Sequence, residues 1–350
     1  MTRVLLPKEQ WPAADQAAWE ATIRPGDILD GQGEAAHWRP ATRRTNVQHY
    51  SRWLGYLVSI RALDPTAMPV DRVTRERIRG YVAHLKERIA PRTVVSALVG
   101  LKVMIKAMAP EGSWRWLAEI CNALNRTARP VTDKRSRMRD TGGIVRTAVA
   151  EMDRLLDGPL VTRLDRVAFR DSLMLALLAA RPLRLKNFAA LARGRHLVPV
   201  AKGWEIDIPG EETKTGQPLH FTVPKLLVPY LETYLERVRP TFLKRDTQEP
   251  NGLWLGFEGR PLTQHSVYLR FTFITKRLFG SPINPHLLRD CAATTLSTRS
   301  PDDALTAAAL LGHRNFRTTE RYYIRANQLE ASRQVGMLID RIRAGSKEAP

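Results

Sequence analysis

From Thr42 to about Ala128, apolar residues recur every three or four positions: Val47, Tyr50, Trp53, Leu54 and Leu57 in one stretch, Ile78, Tyr81, Val82 and Leu85 in the next. That period lines them along one face of a helix, so the pattern predicts helices rather than strands. Two more helices are predicted near Pro91 to Met108 and Ser113 to Leu124, with Pro91 as the first helical residue, where its missing N–H is harmless, and Ser113 as an N-cap. Four such helices make a compact module spanning residues 39–128. Residues 1–38 form an extension without an assigned role, in which Trp11 to Thr22 has the pattern of a short amphipathic helix. Periodicity stops between Arg126 and Gly143, which predicts a linker over 129–142.

A second domain is predicted over 143–350. It opens with helices near Ile144 to Leu156 and Asp165 to Ala180. Short runs of strand-forming residues follow, His196 to Val200, Trp204 to Pro209 and Pro218 to Val223, separated by Lys202-Gly203 and by Gly210 to Gly216; they predict a small antiparallel meander. From Lys225 the pattern is helical again, with turns at Pro250 to Gly252 and Gly280 to Pro282. Ser300-Pro301-Asp302-Asp303 has the order of an N-cap, a first-turn proline and first-turn acids, and Gly312 is placed to end that helix. The fold class is therefore mainly α with a small antiparallel β-sheet, an all-helical domain in front and an α+β domain behind.

Composition adds a partner to this picture. The 350 residues are 43% hydrophobic, enough for a core in each of two domains, and carry 55 Lys and Arg against 35 Asp and Glu. The net charge of +20 predicts a polyanionic partner. Arg72, Arg75, Arg77, Arg79, Arg92 and Lys102 give the helical module a basic side, although any one of them also fits an ordinary solvated face. Arg126, Arg129, Lys134, Arg135, Arg137 and Arg139 cluster around Pro130 in the linker, more charge than a simple connector needs, and this favours a linker that follows phosphates. A membrane is a poorer partner: the longest apolar run, near Leu173 to Ala180, is too short to span one. The first ten residues lack the basic, apolar and small-residue order of a signal peptide. Cys121 and Cys291 stand far apart without a CxxC partner, which argues against a disulfide framework or a zinc site and fits a reducing cytoplasm.

The chemistry-bearing residues gather in the second domain. Near its end stand Pro285-His286-Leu287-Leu288-Arg289, then Leu310-Leu311-Gly312-His313, then Arg321-Tyr322-Tyr323. Upstream lie Pro182-Leu183-Arg184, after a predicted helix, and Thr213-Lys214-Thr215-Gly216, between predicted strands. Taken singly these are dull: Arg184 is a cation at a helix end, Lys214 a turn charge, His286 and His313 structural histidines, Tyr322 a core aromatic. In this order they resemble the tyrosine recombinase (phage integrase) family, whose motifs run from an arginine after a helix, through a lysine on a β-hairpin, to HxxR, LLGH and a tyrosine nine residues after that histidine. The resemblance is strong over about 170–325 and covers the helical module by architecture alone.

The resemblance implies a site-specific DNA recombinase, with residues 39–128 as its core-binding DNA-binding domain and 143–350 as its catalytic domain. It implies that Tyr322 is the nucleophile, His286 its base, Lys214 the proton donor to the departing sugar oxygen, Arg184 and Arg289 the phosphate-binding cations and His313 a further hydrogen-bond donor. The partners implied are double-stranded DNA, a tetramer on two DNA sites and accessory DNA-binding proteins, with no cofactor, metal or membrane. The task implied is integration, excision or transposition of a mobile element, with resolution of dimers left open. A catalytically inactive DNA-binding regulator would share the charge profile but has no reason to keep all six residues. A type IB topoisomerase shares the chemistry but, relaxing DNA as a monomer, does not call for a carboxyl-terminal docking helix; here Leu329 to Ile342 either packs on its own domain or, as the resemblance implies, docks on a neighbouring protomer.

Physical chemistry agrees with these roles. Charge gathers on the non-bridging oxygens of an attacked phosphodiester, and a guanidinium fork matches two of them. A phenol of pKa about 10 is ionised in only about one molecule in a thousand at neutral pH, so Tyr322 needs a base. The spacing of His286 and Arg289 puts both on one helix face. Two positions depart from the family pattern: Asn187 stands where a glutamate is usual, and Pro182 where a glycine is usual. Arg181 competes with Arg184, and Leu191, seven residues beyond Arg184, favours the latter. Tyr323 competes with Tyr322; helical neighbours point about 100° apart, and the spacing from His313 selects Tyr322.

Overall fold

A computed structural model describes residues 5–27, 29, 31–129, 131, 134–158, 160, 162–243 and 249–299. His313, Tyr322, Tyr323, the Ser300 cap, Gly312 and the Leu329 to Ile342 helix lie outside the described residues. The chain divides into two compact units, Met1–Asp133 and Lys134–Pro350.

The first unit is helical: α1 (Ala13–Ile23), α2 (Pro40–Ser59), α3 (Arg75–Lys86), α4 (Pro91–Met108) and α5 (Arg115–Thr127). The periodic residues form its core, with Tyr50, Trp53, Leu54 and Leu57 of α2 against Ile78, Tyr81 and Leu85 of α3 and Leu98, Leu101 and Ile105 of α4. Cys121 of α5 is buried there too, and burial pushes its thiol up. Pro91 is the first residue of α4. Ser113 is not the cap of α5; Trp114 holds that position without a side-chain bond to the helix. The Trp114 indole donates to the Ala109 carbonyl at 2.9 Å, so burial of a large ring, rather than a capping hydroxyl, sets the turn.

The leader acquires a role. Trp11, Trp19 and Ala35 are buried in the same core. Asp15 of α1 is buried and accepts from the Tyr50 hydroxyl at 2.5 Å and from Arg72 Nη1 at 2.5 Å. Arg72 was expected on the basic side, and here the structure corrects the sequence reading. Its guanidinium is fully buried, with Nε on the Asp64 carbonyl and Nη2 on the Ala67 carbonyl as well as Nη1 on Asp15. A buried cation needs a partner of opposite charge and filled hydrogen bonds, and no local pattern could reveal one 57 residues away. Arg75, Arg79 and Lys86 of α3 are exposed and keep the basic character of that helix.

The second unit contains α6 (Thr141–Leu156), α7 (Arg163–Ala180), α8 (Leu185–Ala189), β1 (Leu197–Val200), β2 (Gly203–Ile208), β3 (Leu219–Thr222), α9 (Val228–Thr233), α10 (Gln264–Phe279) and α11 (Pro285–Arg299). The strands form an antiparallel sheet in the order β1-β2-β3. Leu197 pairs with Ile206 and Leu219 with Ile208, and these four side chains bury the inner face. Helix α7 is the axis of this unit. A capping box between Thr162 and Asp165 starts it, and every residue from Phe169 to Ala179 is buried. Burial around its whole circumference is why its sequence reads as a continuous apolar run. The charged pair inside it is fully partnered: Arg170 bonds Asp171 and the Leu255 carbonyl, and Arg270 of α10 donates to the other Asp171 oxygen at 2.6 Å.

The Glu151 carboxylate bonds Arg154 one turn on in α6 and joins α6 to α10 through Arg277. The Arg154 hydrogen bond, more than any other contact, holds its pKa below the ordinary 4.5. A folded-state pKa below the unfolded one means stability present above about pH 4.5 and lost as pH falls through the lower folded value. Acid titration of the unfolding midpoint should therefore be shallower in Glu151→Gln than in wild type; identical slopes would show that this junction carries no proton-linked stability.

Residues 134–141 are not a free connector. Lys134 pairs with Asp290 at 3.5 Å, the Arg139 amide donates to Cys291 Sγ at 3.5 Å, and the Thr141 amide donates to Thr295 Oγ1 at 3.0 Å, so this stretch runs along α11. Cys291 is buried, which raises its thiol pKa.

Candidate active site

Pro182 cannot continue α7, because its ring removes an amide donor and forces the preceding backbone out of the helical region. Arg181 accordingly leaves the helical region, and three residues later Arg184 becomes the N-cap of α8. Leu183, Phe188 and Leu191 are buried and fix this corner. The two competing arginines differ in what they do there. Arg181 donates from Nε to the Thr222 carbonyl at 3.0 Å and from Nη1 to the Ala180 carbonyl at 2.9 Å, stitching α7 to the end of β3. Arg184 is half-buried, and its Nη1 is shielded from solvent without a hydrogen-bond partner among the described residues. Burial lowers the pKa of both guanidinium groups.

Helix α11 delivers the next pair. Asn284 caps it by accepting from the Leu287 amide at 2.9 Å, Pro285 takes the first position, and buried Leu287 and Leu288 seat it on the core. His286 is exposed near its start, and Arg289, one turn on, is buried. Arg289 Nη1 donates to the Pro182 carbonyl, which brings α11 against the corner that carries Arg184.

Lys214 is exposed on the β2–β3 loop. Its neighbour Thr213 is buried, and the Thr213 hydroxyl bonds both the Gly210 and the Gln217 carbonyls at 2.9 Å, closing the loop. Gly216 adopts φ 74°, a left-handed conformation suited to glycine. The loop is tied to α8: Asn187 Nδ2 donates to the Glu212 carbonyl at 3.2 Å. The Glu212 carboxylate in turn bonds Arg195 and His196 Nε2, the latter at 3.1 Å.

The structure thus gathers Arg289 at the Pro182–Arg184 corner, with His286 on the same helix, and joins the Lys214 loop to α8. Glu212 and His196 are not singled out by the sequence; the signal available was Asn187, at the position where this chain departs from the family pattern. Among the described residues, no group of three or more His, Cys, Asp or Glu side chains could hold a metal ion, and no helix is long and apolar enough to cross a membrane.

The model of the phage integrase family matches residues 147–330, a little over half of the chain. Tyrosine recombinase XerD of Staphylococcus saprophyticus is 29% identical over 177 residues, covering 50% of this chain and 56% of that protein. Tyrosine recombinase XerC of Herpetosiphon aurantiacus is 29% identical over 178 residues, covering 50% and 54%. The chain spans about half the length of these relatives. The solved XerH site-specific recombinase bound to difH substrate aligns over 93% of this chain and 96% of its own, with a TM-score of 0.59 at 14% identity. The Tn1549 transposon integrase in complex with transposon right end DNA aligns over 92% and 99%, with a TM-score of 0.56 at 14% identity. At that identity the likeness is one of fold, an all-helical unit followed by an α+β unit. The chain belongs to the phage integrase family.

Proposed function

We propose that this protein is a site-specific DNA recombinase that cuts and rejoins strands through a 3′-phosphotyrosyl bond. Tyr322 Oη attacks the scissile phosphorus while His286 takes its proton. The bond from phosphorus to the 5′ oxygen breaks, and that oxygen takes a proton from the Lys214 ammonium. Arg184 and Arg289 hold the non-bridging oxygens, and His313 donates a hydrogen bond to one of them. One phosphoester bond forms as one breaks, so attack by the 5′-hydroxyl of a second strand reverses the step without nucleotide hydrolysis.

The observation that carries this reading is the Arg184 guanidinium, half withdrawn from water, with Nη1 shielded and unpartnered among the described residues. An unsatisfied buried donor is costly, and a phosphate oxygen is the acceptor that a guanidinium fork fits best. Arg289 at the same corner supplies a second cation. The exposed Arg75, Arg79 and Lys86 of α3 and the net charge of +20 supply contacts to the duplex backbone. Four copies would act on two sites, with accessory DNA-binding proteins, in the integration, excision or transposition of a mobile element.

The test incubates the protein in EDTA with nicked duplexes from its own genetic neighbourhood and resolves the products on a denaturing gel. Wild type is expected to form a covalent adduct and Tyr322→Phe none. An adduct in Tyr322→Phe would transfer the role to Tyr323; binding without an adduct on any duplex would favour a DNA-binding regulator.

A further inference from the structure

We propose that Glu212 is the positioning residue for Lys214, acting as a two-sided strut that sets where the lysine stands relative to Arg184. The inference rests on the recombinase reading above. Glu212 lies two residues before Lys214, and its two ends are held by different elements. On one side, its main-chain carbonyl accepts from Asn187 at 3.2 Å, on the short helix that Arg184 caps. On the other, its carboxylate is bonded to Arg195 and to His196 just ahead of β1.

The strut is braced at each end. His196 is buried, and its Nδ1 accepts the Ala192 amide at 3.1 Å, which leaves the proton on Nε2 to be donated to Glu212. Asn187 is also buried, so it cannot easily exchange its carbonyl partner for water. Buried Thr213 bridges Glu212 to Lys214 and holds the loop closed through the Gly210 and Gln217 carbonyls. Loops between two strands of a small sheet usually gain their order from the strands alone. Here α8 adds a hold of its own through Asn187, and the fixed end of the lysine stem inherits it.

The chemistry explains why such a strut matters. A proton donor must stand within hydrogen-bond reach of the leaving oxygen, and a displacement of about 1 Å at a reacting group can cost up to about a hundredfold in rate. An exposed lysine has four side-chain torsions of its own, so positional accuracy has to come from its backbone. The departure of Asn187 from the family's glutamate fits this arrangement. A carboxylate there would repel the Glu212 carbonyl, whereas an amide donates to it.

The experiment compares two substrates made from the duplex that forms the Tyr322 adduct: ordinary DNA, and the same DNA with sulfur replacing the bridging 5′ oxygen. A thiolate leaves without a proton, so a defect confined to proton donation vanishes on the sulfur substrate. Lys214→Ala is the marker, expected to cleave ordinary DNA about a hundredfold slower and the sulfur substrate normally. Glu212→Gln and Asn187→Ala are each expected to slow cleavage of ordinary DNA about tenfold or more, with DNA affinity and the cleavage of sulfur DNA unchanged. Equal losses on both substrates, or no loss on either, would overturn the strut while leaving the recombinase reading intact. If Lys214→Ala itself loses nothing on ordinary DNA, the assignment of Lys214 fails and the strut fails with it.

Discussion

Strand cleavage by Arg289→Ala is expected to fall by about a hundredfold or more, with little change in the affinity for the same duplex. The reason lies in when the guanidinium is needed. In the proposed reaction many cations share the work of ground-state binding, whereas charge on the non-bridging oxygens rises only as the phosphorus is attacked. Arg289 also donates to the Pro182 carbonyl, so its loss could in principle loosen the corner that holds Arg184. Arg289→Lys separates the two effects: it keeps a cation but not the planar fork, and should recover only part of the rate. Single-turnover cleavage, filter binding and the urea midpoint of each variant make the measurement. Wild-type cleavage by Arg289→Ala would remove Arg289 from the phosphate-binding role.

The largest expected effect on stability is at the other end of the chain. Asp15→Ala strips the buried Arg72 guanidinium of its counter-charge and the Tyr50 hydroxyl of its acceptor. Breaking a buried ion pair from one side costs about 3–5 kcal/mol, because the remaining charge stays buried and unanswered. Six of the eight tryptophans precede residue 134, so urea denaturation followed by tryptophan fluorescence reports mainly on this unit. A double variant, Asp15→Ala with Arg72→Met, leaves no buried charge and should regain part of the loss. A cost below about 1 kcal/mol for Asp15→Ala would mean that water or another acceptor answers Arg72 instead.

The longer helices and the strands were legible in the sequence because their signals are local, whereas α8, five residues long, is too short to show a period. Residues Leu197–Val200, Gly203–Ile208 and Leu219–Thr222 fall within the three predicted strand segments, or within one residue of them, because the breaks at Lys202-Gly203 and Gly210 to Gly216 are strong punctuation. Two kinds of feature were not legible. Arg72 reads as one more basic surface residue until Asp15 is placed beside it, and Glu212 reads as a turn acid until Asn187 and His196 close on it. Such pairs join residues 16 to 57 positions apart, and periodicity carries no information at that range. The choice between Arg181 and Arg184 lies between these cases. Spacing favoured Arg184, and the geometry adds a reason, since Arg181 is engaged with the Ala180 and Thr222 carbonyls.

Both cysteines of the chain, Cys121 and Cys291, are buried, one in each unit, and burial raises both thiol pKa values. Thiolate is the reactive form, and here it is both scarce and shielded. The protein is therefore a nearly silent background for maleimide chemistry. A single cysteine placed on an exposed acidic position such as Glu20 of α1 can carry a fluorophore without first stripping out the native thiols. Whether the helical unit responds to added duplex DNA, as the proposed function requires, then becomes a matter of optical measurement in the otherwise natural chain.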